Sequence, residues 1–193
     1  YLLQMGGIPL LDRDGEIESA QRIELWRRRY RHELLGNDFV LRAAVKLLER
    51  VKAGTVRLDR TLEVSVTNTD EKQRLLKRLG PNLKTLRRII SENQKLFRQA
   101  TSTTCRLSVR RETWKHLVRQ RCKAVRLVEE MRLRIQRLDP MLKQLRDSAE
   151  RVNEVGVQER RQIFVALGET RRTLKRRLKR LGVYEKKYDA AKR

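Results

Sequence analysis

Residues 114–152 read WKHLVRQRCKAVRLVEEMRLRIQRLDPMLKQLRDSAERV. With Trp114 set as a and Leu117 as d, the a and d positions are Trp114, Leu117, Arg121, Ala124, Val128, Met131, Ile135, Leu138, Leu142, Leu145, Ala149 and Val152. Apolar residues spaced alternately three and four apart mark helices that bury one stripe. Arg121 is the single break in that stripe. Asp139-Pro140 interrupts it differently, because Asp suits an N-cap and Pro the first helical position. The stretch is therefore expected to form a kinked long helix or a helical hairpin around 108–155. Its stripe is expected in the core, not at a partner surface.

The same punctuation organises the flanks. Asp12 is a good N-cap, with Asp14 and Glu16 placed where a helix start favours negative charge. Ile17, Ala20, Ile23, Leu25, Trp26 and Tyr30 then recur at helical spacing, and Gly36 is expected to end this long first helix. Asn37 caps a second stripe of Val40, Leu41, Ala44, Val45, Leu48 and Val51, closed by Gly54. TVRLDRTLEVSVTN at 55–68 is rich in Thr and Val and reads as one irregular linker, with 63–67 extended. Helix resumes near Asp70, is expected to stop at Gly80-Pro81, and restarts through Leu83, Leu86, Ile89, Ile90, Leu96 and Phe97. TSTTC at 101–105 is a polar loop. Beyond Gly156, short helices are expected at 158–167 and 169–181, ended by Gly168 and Gly182, with a further helix beginning at Val183. The fold expected is an all-α multi-helix bundle.

Composition agrees. The 193 residues suit one domain or two small ones, and aromatic residues make up only 5%, so Leu, Val and Ile supply the core. Lys and Arg number 48 against 24 Asp and Glu, a net charge of +24. The excess is uneven: residues 1–36 hold 6 basic and 6 acidic side chains, whereas residues 158–193 hold 13 and 4. So large a positive balance calls for a polyanionic partner, nucleic acid first, with an acidic protein surface or an anionic membrane as the other classes. Cys105 and Cys122 make no disulfide framework, no secretory pattern opens the chain, and no apolar run reaches the ~18–20 residues of a membrane span. A cytoplasmic location is expected. The chain starts on Tyr1 without Met and its last helix has no cap, so it is expected to be cut from a longer protein.

Catalytic constellations are lacking. His32 and His116 lie on charged helices, zinc-ligand spacings do not occur, and no nucleophile or phosphate-loop motif is found. Neither an enzyme nor a bound metal or cofactor is expected. Arg27, Arg28, Arg29 and Arg31 read either as a solvated face or as a nucleic-acid contact. The cluster Arg171, Arg172, Lys175, Arg176, Arg177, Lys179 and Arg180 reads as functional. So many cations on about three turns repel one another unless an anion compensates.

The opening stretch carries a more specific signal. Tyr1-Leu2-Leu3-Gln4-Met5-Gly6, then Ile8-Pro9-Leu10-Leu11, then Asp12 through Glu24, closely resembles region 1.2 of primary bacterial sigma factors, the sigma-70 family. Residues 184–193 more weakly resemble the basic helix leading into region 2.1. Between these anchors the chain occupies the place of the family's variable insertion. The resemblance implies a division into a region 1.2-like segment (1–36), a helical inserted domain (37–182) and the start of a helix toward region 2 (183–193). It implies binding to promoter DNA near the −10 element and to core RNA polymerase, its beta-prime subunit first, in bacterial cytoplasm at the nucleoid. It implies no catalysis, no small-molecule substrate and no membrane. Tyr1, Leu2 and Leu3 match the turn that meets the discriminator strand. Leu2 and Leu3 stand where the family often has Met and Arg, so this turn offers apolar contact with unpaired bases instead of a charged donor. Arg27, Arg28, Arg29, Arg31, Arg171, Arg172, Lys175, Arg176 and Lys179 complete the expected nucleic-acid contacts. The rival readings are a basic helical module gripping an acidic protein and an RNA- or ribosome-binding helical protein.

Overall fold

A computed structural model describes residues 12–65 and 68–192 of the chain. The helices are α1 (Arg13–Leu35), α2 (Asp38–Lys52), α3 (Leu58–Thr61), α4 (Thr69–Thr101), α5 (Leu107–Glu129), α6 (Asp139–Glu154), α7 (Val157–Leu167) and α8 (Arg171–Ala191), with a 3-10 turn at Ile135–Arg137. Among the described residues the fold is all-α, apart from one isolated bridge between Leu62 and Leu133. None of these helices is long and apolar enough to cross a membrane.

The caps form as their sequence dictates. The Asp12 side chain accepts from the Gly15 amide at 2.8 Å, and the Asn37 side chain accepts from Phe39 and Val40 at 2.9 and 3.2 Å. α1 ends at Gly36, and α7 ends at Gly168 with φ 66, the left-handed conformation that Gly adopts without penalty.

Two antiparallel pairs frame the molecule. α4 and α5 are joined by the short polar loop at 102–106 and lie along each other. Phe97 meets Trp114 with ring centroids 6.4 Å apart, Gln120 donates to Glu92 at 3.2 Å, and Asn82 donates to Glu130 at 3.2 Å. α1 and α8, far apart in sequence, form the second pair. There Trp26 meets Tyr184 at 6.1 Å, and Arg29 and Lys187 lie over the Trp26 ring at 4.8 and 4.4 Å. α2 lies between them, packed against α1, α4, α5, α6 and α7. Leu34, Leu35, Leu41, Leu48, Leu86, Leu117 and Leu138 are among its fully buried neighbours and side chains.

Stretch 108–155 resolves differently from either sequence expectation. The a and d stripe is buried, as expected, at Leu117, Ala124, Val128, Met131, Leu138, Leu142, Leu145 and Val152. Yet residues 130–138 form neither a kink nor a hairpin. Arg132 takes φ 50, and this connector hydrogen-bonds to the 61–63 segment: Glu63 N–H donates to Arg132 O at 2.8 Å and Arg134 N–H donates to Thr61 O at 2.9 Å. Main-chain bonds to a distant segment thus stop α5 and release α6 to pack on α2 and α7. The 55–68 linker itself winds into the single turn of α3 before it extends. Val66 and Thr67 of the expected extended run, like Tyr1, Leu2 and Leu3, lie outside the described residues. Asp139 is the first residue of α6, one place later than its expected N-cap position.

Two expected stops are absent. α4 runs straight through Gly80-Pro81, and α8 through Gly182. A proline inside a helix costs about 3 kcal/mol. Against that, Leu75, Leu79, Leu83, Leu86, Ile89 and Phe97 form one buried stripe across the break, each worth about 1.5–3 kcal/mol when buried. The stripe wins. At Gly182 the cost is only about 1 kcal/mol relative to Ala, and Leu181, Tyr184 and an Arg146–Glu185 pair at 2.6 Å hold both sides. Because Pro81 is exposed and removes a ladder hydrogen bond, Pro81→Ala is expected to raise unfolding free energy by about 1–3 kcal/mol, read as a higher urea midpoint.

Candidate nucleic-acid interface

α8 divides its residues between two faces. Leu174 and Leu181 are buried, and Arg177 and Leu178 are half-buried, facing α1 and the core. Arg171, Arg172, Lys175, Arg176 and Lys179 are exposed. Their spacing of one, three, one and three residues places them on one outward stripe. None has an ion-pair partner among the described residues, whereas the inward Arg177 is fully engaged. Its Nε donates to Glu169 Oε1 at 2.8 Å, and its Nη1 donates to the Glu33 backbone carbonyl at 2.5 Å and to the Glu33 carboxylate at 3.2 Å. Arg180 reaches the same Glu33 at 3.6 Å.

The start of α8 is anchored by a buried polar cluster. Arg121 is 6% exposed. It donates from Nε to Asp38 Oδ1 at 3.2 Å, and from Nη2 to Asp38 Oδ2 and the Gly168 carbonyl, both at 2.5 Å. Glu169, fully buried, lies 3.9 Å from Arg121 Nη1. Asn93 donates to Asp38 at 3.0 Å, and Asn37 donates to the Leu167 carbonyl at 3.3 Å and to Glu169 at 3.5 Å. A Thr170–Thr173 capping box then opens α8. The α1–α2 turn, the start of α2, α4, α5, the α7–α8 turn and α8 all meet here. The cluster holds two buried carboxylates against two arginines, so its formal charges balance.

The arginines of α1 are placed otherwise. Arg31 is 7% exposed and sits 3.6 Å from Glu63. Burial lowers its pKa from the ordinary arginine value, against the pull of Glu63. Arg27 pairs with Glu63, and with Glu24 at 3.4 Å. Burial alone would lower the Arg27 pKa, but the Glu63 hydrogen bond and charge outweigh it and raise it. Arg29 covers Trp26. Of the four expected contact residues on α1, Arg28 alone is exposed without a polar partner or ring contact among the described residues. The structure therefore brings Arg171, Arg172, Lys175, Arg176 and Lys179 together and keeps the α1 cations apart from them.

Sequence reasoning missed a cleft of about 720 Å³ between the end of α4, α7 and the start of α8. Phe164 and Val165 line it, the fully buried Glu169 lies behind its wall, and Arg98, Arg161 and Arg171 border it. Its signal in the sequence was slight, because these residues come from three separated helices. No group of three His, Cys, Asp or Glu side chains able to hold a metal occurs among the described residues, and Cys105 and Cys122 are free thiols. No protein-family model and no curated protein matches the chain.

Gly168 joins the backbone requirement to the cluster. Its positive φ disfavours a side chain, and a Cβ there would run into the Asp38 carboxylate. Gly168→Ala is expected to destabilise the protein by about 2 kcal/mol or more in urea unfolding.

Proposed function

We propose that this chain is a DNA-binding module of a sigma-70-type factor, in which α8 lies against the phosphate backbone of promoter DNA. One observation carries the DNA-binding reading: five cations sit on the outward stripe of α8 with no ion-pair partner among the described residues, while the cations facing inward are neutralised by buried carboxylates. Concentrating unpaired positive charge on one face costs self-repulsion that a polyanion removes. The sigma-type reading rests on the resemblance of residues 1–24, and it has support in the Asp12-capped α1 that begins within them. In this reading α1 is the region 1.2 helix, and α8 runs beside it toward the polymerase-binding region. The work is binding, both to DNA and to core polymerase, with no chemical step.

The test is duplex DNA binding across a salt series. Five phosphate contacts give a slope of log K against log salt of about −4.5. Lys175→Ala combined with Arg176→Ala and Lys179→Ala is expected to flatten that slope by about 3 and to weaken binding about tenfold or more at low salt. Salt-independent affinity would overturn the proposal. Retention of the chain on core polymerase after nuclease treatment tests the sigma-type part separately.

A further inference from the structure

A second cavity, of about 400 Å³, lies where α2, α4 and α7 meet. Spacing along two helices builds it. Gln158, Arg161 and Gln162 share one face of α7, and Gln94 and Arg98 lie four apart on α4. α2 contributes Arg42. Three arginines and three glutamines from three helices thus share one cavity, and none of the described residues that line it is acidic. None of the five α8 stripe cations lines it either.

The carboxylates beside these residues in the chain are turned elsewhere. Asp38 is held by Arg121 and Asn93, Glu92 by Gln120 at 3.2 Å and Arg88 at 3.8 Å, and Glu159 by Arg151 at 2.5 Å. Arg98 and Arg161 are exposed and have no ion-pair partner among the described residues. Arg42 is half-buried, donates to the Ala166 carbonyl, and has no ion-pair partner among them either. Burial lowers the Arg42 pKa from the ordinary arginine value, and the charge of Asp38 does not restore it. An arginine drawn partly out of water with no anion against it costs free energy that a bound anion offsets.

The donor set selects the class of anion. A carboxylate presents two oxygens in one plane, and a single bidentate arginine satisfies it. A terminal phosphate presents three acceptor oxygens and engages several arginines at once. Charge narrows the choice further. A backbone phosphodiester carries one negative charge, which leaves two of three guanidinium groups uncompensated. A terminal phosphate carries about −1.5 to −2 at pH 7, and two linked phosphates carry more. The volume, toward the lower end of the ~300–1,000 Å³ of small-ligand sites, has room for such a group.

We propose that this cavity binds the diphosphate group of a small phosphorylated compound, separately from the DNA that lies on α8. Arg42, fixed by Ala166, supplies the half-buried cation, and Arg98 and Arg161 supply the exposed ones from α4 and α7.

The probe is inorganic pyrophosphate, titrated calorimetrically into the full 193-residue chain at fixed ionic strength, with citrate and a DNA duplex as comparison ligands. Pyrophosphate is expected to bind about fivefold or more tightly than citrate. Arg98→Ala combined with Arg161→Ala changes only exposed side chains and is expected to leave thermal melting of the free protein unchanged. It is expected to weaken pyrophosphate binding about tenfold or more and duplex binding less than about twofold. Gln162→Glu places a carboxylate in the cavity with little change of shape and is expected to weaken pyrophosphate binding about fivefold or more. The combined Lys175→Ala, Arg176→Ala, Lys179→Ala variant is expected to change pyrophosphate binding less than about twofold. An equal loss in that α8 variant would reveal diffuse attraction to net charge and overturn the proposal. A loss of duplex binding as large as that of pyrophosphate in the double arginine variant would assign the cavity to backbone phosphate and overturn it. Citrate binding as tight as pyrophosphate would overturn the selection of phosphate. If pyrophosphate does not bind while the duplex still binds through α8 with its salt dependence, this proposal fails alone.

Discussion

Arg121 and Asp38 meet inside the protein, at 7% and 4% side-chain exposure, 2.5 Å apart. Each would be expensive to bury alone, and removing one partner of such a pair costs about 3–5 kcal/mol. The pair is tolerable because it is saturated with neighbours. Arg121 also donates to the Gly168 carbonyl, Asn93 donates to Asp38, and Glu169 balances the second arginine, Arg177. A charge network of this kind adds little net stability beside an apolar core of equal volume. Its effect is on arrangement, since the same atoms cannot be satisfied if α2, α5 and the α7–α8 turn slide relative to one another.

That arrangement decides which cations remain available. With a net charge of +24, the chain has far more arginine and lysine than its carboxylates can neutralise. The structure distributes the carboxylates unevenly. Glu63 sits between Arg27 and Arg31, Glu33 between Arg177 and Arg180, and Asp38 on Arg121. None reaches the outward face of α8. Five exposed cations without an ion-pair partner among the described residues thereby share one stripe of α8, whose first residue borders the cleft. Surface charges act over about 8–10 Å at physiological salt, so clustered cations on one face reinforce each other where scattered ones would not.

Much of this was legible in residue order. Asp12, Asn37 and Gly168 mark helix ends because each does something local: an oxygen caps an amide, or a glycine takes a left-handed turn. The buried stripe from Leu117 to Val152 was legible for the same reason, as spacing along one element. The sidedness of α8 followed from spacing too. What the sequence concealed depends on partners distant along the chain. Gly80-Pro81 and Gly182 looked like stops because their local costs are real; only burial of stripes on both sides shows those costs outweighed. The break at 130–138 comes from main-chain bonds to residues 61–63, which no periodicity announces. Arg121 stood out as the one misfit in the stripe, but its partners Asp38, Gly168 and Glu169 lie 47 to 83 residues away. Arg27 and Arg31 looked like surface charge until Glu63 was seen beside them.

A double-mutant cycle between Asp38 and Arg121 tests the central role of this pair most directly. Asp38→Asn, Arg121→Met and the combined variant would be compared with the parent by urea unfolding. The account predicts that each single change is costly and that the two are strongly non-additive, with a coupling of about 2–3 kcal/mol. A coupling below about 0.5 kcal/mol would contradict it, because the two side chains would then be contributing independently.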